Sequence, residues 1–266
     1  MDTTNRHPAL VNEKPGRSPA NRSLERGMEI LRAFRPGSEL LGNGEIAERA
    51  GLSKPTVSRL TQTLVGAGML QLDSARRAYR LAPAVLSLAH AMRTGSSVLN
   101  LAAPKMRALA EAQRINVGLA APDRDEMVYL ESIRYNRRVA LRNVVSGQRV
   151  PMELTSLGRA YLASAPEGRR KALFALFKSR RGAQWPPLAD AIRKAIECVE
   201  TKGYCVASWQ PEVVALAAPI RSAESAYVLN VSVSTADPID RVARELAGPL
   251  LELLADIEKT IQMSHE

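Results

Sequence analysis

The sequence predicts an α/β chain of the α+β kind in two parts. A winged helix-turn-helix comes first, then a linker helix, then a larger domain whose helices cover a largely antiparallel sheet. Three observations predict this. Gly44 to Leu64 reads as helix, tight turn, helix. Two short alternating runs follow with a basic turn between them. The later strand-like runs come in an early group and a late group, with helices between and at both ends.

Taken in order, residues 1–21 are polar, contain Pro8, Pro15 and Pro19, and show no period, so a disordered arm is expected. The first domain spans 22–82. Ser23 is expected to cap a helix whose buried side is Leu24, Met28, Ile30, Leu31 and Phe34, with Pro36-Gly37 as its stop. Ile46, Ala47 and Ala50 put a small apolar stripe on the next helix, and Gly51 supplies the permissive backbone its end needs. Ser53 is an N-cap type and Pro55 fits a first helical turn. Val57, Leu60 and Leu64 then mark a core face. The opposite face carries Lys54, Thr56, Ser58, Arg59 and Gln62. All are donors, clustered at the helix end that meets base edges and phosphates in a helix-turn-helix. Gly68 closes the helix. Met69–Leu72 and Ala78–Leu81 are expected as the two strands of a wing, with Arg76 and Arg77 at its tip.

Residues 83–97 are expected to form a linker helix, opened by Pro83 and apolar through Val85, Leu86, Leu88, Ala89 and Met92. Its broad apolar face suits a dimer contact. The second domain, 98–264, begins with a helix through Leu99, Ala102, Met106, Leu109 and Ala110. Strands are expected at Ile115–Ala121, Met127–Ile133 and Arg138–Val145, followed by helices from Thr155, over Arg169–Phe177 and over Leu188–Thr201. Further strands are expected at Tyr204–Ser208, Val213–Ile220 and Tyr227–Ser234. A last helix from Asp237-Pro238 repeats Ile239, Val242, Leu246, Leu250, Leu253 and Ile257. Ser232 and Ser234 alternate by two and so share one strand face, where two hydroxyls can donate to a carboxylate.

Composition narrows the function. The net charge is +10, and residues 1–97 hold 14 Lys and Arg against 8 Asp and Glu, so the first third is the more basic part, as a phosphate-facing domain should be. No apolar run is long enough to span a bilayer, no signal-peptide pattern opens the chain, and Cys198 and Cys205 make no disulfide framework. A cytoplasmic protein is expected. Catalysis finds little support. His7, His90 and His265 fall in the arm, the linker and the tail, the cysteine spacing is not that of a zinc site, and no glycine loop cradles phosphate. No metal and no cofactor are expected. The alternative is an enzyme, or a sensing domain with a vestigial DNA-binding module. An architectural DNA-packing protein has no need of the second domain.

The ordered series Ser23–Leu31, Glu45–Leu64, Arg77–Leu81, Tyr129–Ser132, Gly147–Pro151, Thr155–Ala160 and Ala217–Ile220 resembles the IclR family of bacterial transcription regulators, from about Ser23 to the last helix. The resemblance implies a winged helix joined by a linker helix to a GAF-like effector domain. It implies a double-stranded DNA operator near catabolic genes, homodimers paired into tetramers, and a small-molecule effector. It also implies a pocket lined by Ser156 and Leu157, Cys205, Val213 and Ala215, and Ser232 and Ser234. The chain departs from the family pattern in Trp209–Ala215, where Ala215 replaces a potential hydrogen-bonding residue and Trp209 and Glu212 stand nearby. A small organic acid, an aromatic carboxylate among them, is the expected effector, with the helix start at Thr155-Ser156 as an anion seat. Arg142 and Arg149 are candidates for its counter-charge.

Overall fold

A computed structural model describes residues 21–135, 145–221 and 226–264. The chain divides into two compact units, the first ending at Gly95 and the second starting at Ser96. The expected arm and most of the expected strand Arg138–Val145 lie outside the described residues, as does Arg142.

The first unit contains α1 (Arg22–Arg32), β1 (Leu41–Gly42), α2 (Asn43–Ala50), α3 (Lys54–Gly66), β2 (Leu70–Asp73), β3 (Ala78–Leu81) and α4 (Pro83–Thr94). Its core is Ile30, Ala33, Phe34, Leu41, Ile46, Ala47, Val57, Leu70 and Tyr79, with Leu60 and Leu64 packed partly buried against it. Asn21, not Ser23, caps α1: its Oδ1 accepts from the Ser23 and Leu24 backbone N–H groups, each at 3.1 Å. Asn and Ser are near-equal capping types, so the sequence alone could not choose between them. Leu24 and Met28, expected in the core, are exposed. Gly51 ends α2 at φ +64°, the left-handed conformation expected of it. The wing has a third strand that the sequence did not announce. The two-residue β1 pairs antiparallel with β3, Leu41 opposite Tyr79. Two residues are too short to show a period.

The second unit contains α5 (Ser97–Gln113), β4 (Asn116–Asp123), β5 (Glu126–Ile133), β6 (Arg149–Pro151), α6 (Ser156–Ser164), α7 (Glu167–Arg181), a 3-10 turn (Gly182–Gln184), α8 (Trp185–Lys202), β7 (Cys205–Ala207), β8 (Val213–Ile220), β9 (Tyr227–Ser234) and α9 (Ile239–Met263). The six strands form one antiparallel sheet in the order β6-β5-β4-β9-β8-β7. One face of it is apolar. Val117, Leu119, Val214, Leu216, Leu229 and Val231 pack on Met106 and Ala110 of α5 and on Val242, Leu246, Leu250 and Ile257 of α9. Of the repeat expected in α9 only Ile239 is left exposed. The other face meets α6, which packs against β4, β5, β7, β8 and β9 and is flanked by α8.

Gly158 lets α6 come that close to the preceding turn. A Cβ there would lie 2.0 Å from the carbonyl oxygen of Met152. Thr155 caps the same helix. Its hydroxyl accepts from the Gly158 N–H at 3.2 Å and donates to the Pro151 carbonyl at 2.9 Å.

Candidate nucleic-acid interface and ligand site

On α3 the apolar period leaves a polar face. Ser53, Lys54, Arg59 and Gln62 are exposed, while Thr56 and Ser58 are half-buried. Ser53 occupies the N-cap position but makes no side-chain cap bond; its hydroxyl lies 2.9 Å from that of Thr56. The start of α3 therefore keeps backbone N–H groups without a side-chain cap, next to Lys54, which is the arrangement that binds phosphate. Thr61, one position before Gln62, turns the other way. It is fully buried and donates to the Val57 carbonyl at 2.9 Å.

In the wing turn, the Arg76 backbone N–H donates to the Asp73 carboxylate at 3.0 Å and its guanidinium reaches the same group at 3.3 Å. That backbone bond chiefly, with the charges of Arg76 and Arg80, holds Asp73 below the usual carboxylate range. Arg77 sits at φ +50° at the tip. Both arginines are exposed. So is Arg80, on β3, which sequence reasoning did not single out although it alternates with the buried Tyr79.

The strand register assembles the second site. Ala215 stands opposite both Ser232 and Ala207, and Val213 opposite Ser234, so these residues share the face that meets α6. Cys205 stands opposite Ala217 one rung further in, and its thiol donates to the Ser156 carbonyl at 3.4 Å, tying β7 to the first turn of α6. Ser156, Leu157, Cys205 and Ser232 are buried, Val213 and Ala215 half-buried, and Ser234 exposed. The two serines do share a face, but only Ser232 is enclosed. The face opens toward solvent at the Val213–Ser234 end. In the loop between β7 and β8 Trp209 is exposed and Glu212 has φ +57°.

Burial pushes the Cys205 thiol up to about 12, against the pull of the Arg159 charge, so at neutral pH it is a protonated wall of the site and not a nucleophile. Arg149 is not available as a counter-charge. Its guanidinium holds Glu126 at 2.7 Å and Asp123 at 2.6 Å. Burial works against its charge, and the two carboxylates outweigh that and raise its pKa. The fully buried Glu153, beside the start of α6, is likewise taken on one side, accepting from Arg181 at 2.5 Å and 3.0 Å.

Sequence reasoning passed over Asn116 and Asn230. Both lie on the face that meets α6, with Asn116 opposite Ser232 and Asn230 opposite Gly118. A signal existed. Each is an amide at an alternate position of an otherwise apolar or small-residue strand, where water cannot satisfy it.

Residues 23–74 match the family model of the IclR helix-turn-helix domain, and residues 90–263 that of the bacterial transcriptional regulator IclR C-terminal domain. The chain is similar to the HTH-type transcriptional regulator TsaQ1/TsaQ2 of Comamonas testosteroni, 32% identical over 89% of this chain and 87% of that one. A crystal structure of an IclR family transcriptional regulator from Brucella abortus superposes with a TM-score of 0.80 at 32% identity, covering 93% of this chain and 96% of that one. An IclR homolog from Microbacterium hydrocarbonoxydans, complexed with 4-hydroxybenzoate, shares the fold at 23% identity. Its TM-score is 0.69, over 91% of this chain and 99% of that one. With an exposed donor face on α3, a basic wing and both domain models matched in order, the chain belongs to the IclR family and is a DNA-binding transcriptional regulator.

Proposed function

We propose that this regulator controls a catabolic operon in response to a small organic acid, of the aromatic carboxylate class, held between the Ser156-Leu157 turn and the strands carrying Val213, Ala215, Ser232 and Ser234, with Cys205 as a wall. The observation that carries the reading is the register. It gathers these residues onto one sheet face, under a helix start whose first N–H groups suit an anion. The 4-hydroxybenzoate held by the Microbacterium homolog supports the ligand class.

In this reading residues 22–82 bind the operator and 98–264 bind the effector. Residues 83–97 link them, and α4 supplies a homodimer contact through Leu86, Leu88 and Met92, which are 74%, 59% and 52% exposed. Dimers pair into tetramers. Ser53, Lys54, Thr56, Ser58, Arg59 and Gln62 face the major groove, and Arg76 and Arg77 the backbone or minor groove. Effector binds one arrangement of the second units better than another, and the linker helices carry that preference to the spacing of the winged helices. The protein acts in the cytoplasm, and no helix among the described residues is long and apolar enough to cross a membrane.

The test is a footprint on DNA from the neighbourhood of the gene. Protection confined to one operator, and shifted by benzoate or 4-hydroxybenzoate, is the expected result. Protection spread along the DNA and indifferent to every acid contradicts it, and turnover of an added acid favours the enzyme reading.

A further inference from the structure

Asn116 and Asn230 are 93% and 96% buried, and the Oδ1 of each has no hydrogen-bond partner among the described residues. A dry, unpaired acceptor opposes folding, so such a group in a sheet interior calls for a reason. The placement of the pair is built rather than incidental. Asn116 stands directly opposite Ser232, and Asn230 lies two residues before Ser232 on the same strand. The three polar groups therefore form a triangle on adjacent strands beneath α6. Gly118, opposite Asn230, makes room for it. A Cβ at Gly118 would lie 2.5 Å from both the Asn230 Oδ1 and the Tyr129 ring. Tyr129 is itself buried, which pushes its phenol up, while the Arg134 charge and a hydrogen bond from the Asn230 side chain pull the other way.

The neighbours are small: Ala207, Ala215 and Ala217 line the adjacent rungs. From the open end the order is Val213 and Ser234, then Ala215, Ser232 and Asn116, then Ala217, Asn230 and Gly118. Successive rungs lie about 7 Å apart along the strand. A ligand entering from the solvent side meets the Ser234 hydroxyl first, the Ser232 hydroxyl and the Asn116 carboxamide together on the next rung, and the Asn230 carboxamide last. An oxygen acceptor repels a carboxylate and takes an O–H.

We propose that Asn116 and Asn230 form a hydroxyl-reading floor of the ligand site, so that the effector is a hydroxylated small acid whose O–H points inward and whose carboxylate stays toward the start of α6 at Ser156. This rests on the placement of the effector site argued above.

The test uses the full chain and calorimetry with benzoate, 4-hydroxybenzoate and phenol, on wild type and on the Asn116→Leu and Asn230→Leu variants. Thermal midpoints are measured without ligand. Asn116→Ala and Asn230→Ala carry the same comparison if leucine is not accommodated. Wild type is expected to bind 4-hydroxybenzoate about tenfold tighter than benzoate. Each leucine variant is expected to bind the two alike, and to melt no lower than wild type when free. Equal binding of benzoate and 4-hydroxybenzoate by wild type overturns the hydroxyl floor and leaves the small-acid reading standing. So does a preference that survives every substitution. Binding of phenol with neither acid bound overturns the small-acid reading and keeps the floor. Binding of none of the three overturns both.

Discussion

The DNA-facing unit and the ligand-facing unit place their polar groups in opposite ways. On α3, Lys54, Arg59 and Gln62 stand in solvent on the back of a helix whose front is Val57, Leu60 and Leu64. On β9, Asn230 and Ser232 are turned inward beneath α6, and their strand neighbours Leu229 and Val231 belong to the core on the far side. The first arrangement needs only a helix and one apolar stripe, so its chemistry is local and its parts are replaceable singly. The second needs four strands in register and a helix held close over them, so its chemistry depends on packing at a distance. Mutations should separate the two.

The largest effect is expected at Gly158. Gly158→Ala drives a Cβ into the Met152 backbone and should cost the second unit about 3 kcal/mol or more. Both tryptophans, Trp185 and Trp209, lie in that unit, so fluorescence-monitored urea unfolding reports on it alone. An unchanged midpoint would show that α6 does not need this close approach. Next come the serines. Ser232→Ala should lose roughly 1.5–3 kcal/mol of acid affinity if it bonds a carboxylate, while the exposed Ser234 should cost under about 1 kcal/mol. Equal losses, read by calorimetry, would remove the distinction between an enclosed and an open rung.

On the other unit, Arg59→Ala should lose roughly 1–3 kcal/mol of operator affinity and blur one base position, with acid binding unchanged. A selection experiment on randomised operators reads both quantities. The wing should matter less. Arg77→Ala should flatten the log–log salt slope by about 1 per lost phosphate contact, and Arg76→Ala by less, because Arg76 already holds Asp73. The smallest effect is one of pH. Cys205 and Tyr129 have raised pKa values in the folded protein, so the stability they favour is complete below the unfolded thiol value near 9 and is lost as pH climbs toward 12. Thermal midpoints taken from pH 7 to 11 should fall above pH 9 for the second unit first.

The same contrast explains what could be read from the chain beforehand. The core stripe of α3, the wing strand Ala78–Leu81 and the strands Val213–Ile220 and Tyr227–Ser234 follow from local period and were expected at their observed bounds. The two-residue β1 and three-residue β6 were not expected, being too short for a period. The pairing of Arg149 with Glu126 was also out of reach, because 23 residues separate them and only the sheet register brings them together. Asn116 and Asn230 lie further apart still. A burial pattern can say that each sits in a strand, but not that they share a face with Ser232. Residue type misled where the choice was degenerate, as with Ser23 and Asn21 at the start of α1.

In the proposed mechanism the buried face under α6 governs what the exposed face of α3 does. The most direct measurement is operator affinity as 4-hydroxybenzoate is titrated, compared between wild type and Ser232→Ala. Wild-type operator affinity should change at least about fivefold. Ser232→Ala should have the wild-type affinity without acid and need roughly ten- to a hundredfold more acid for the same change. A folded Ser232→Ala protein that responds at the wild-type acid concentration would contradict the claim.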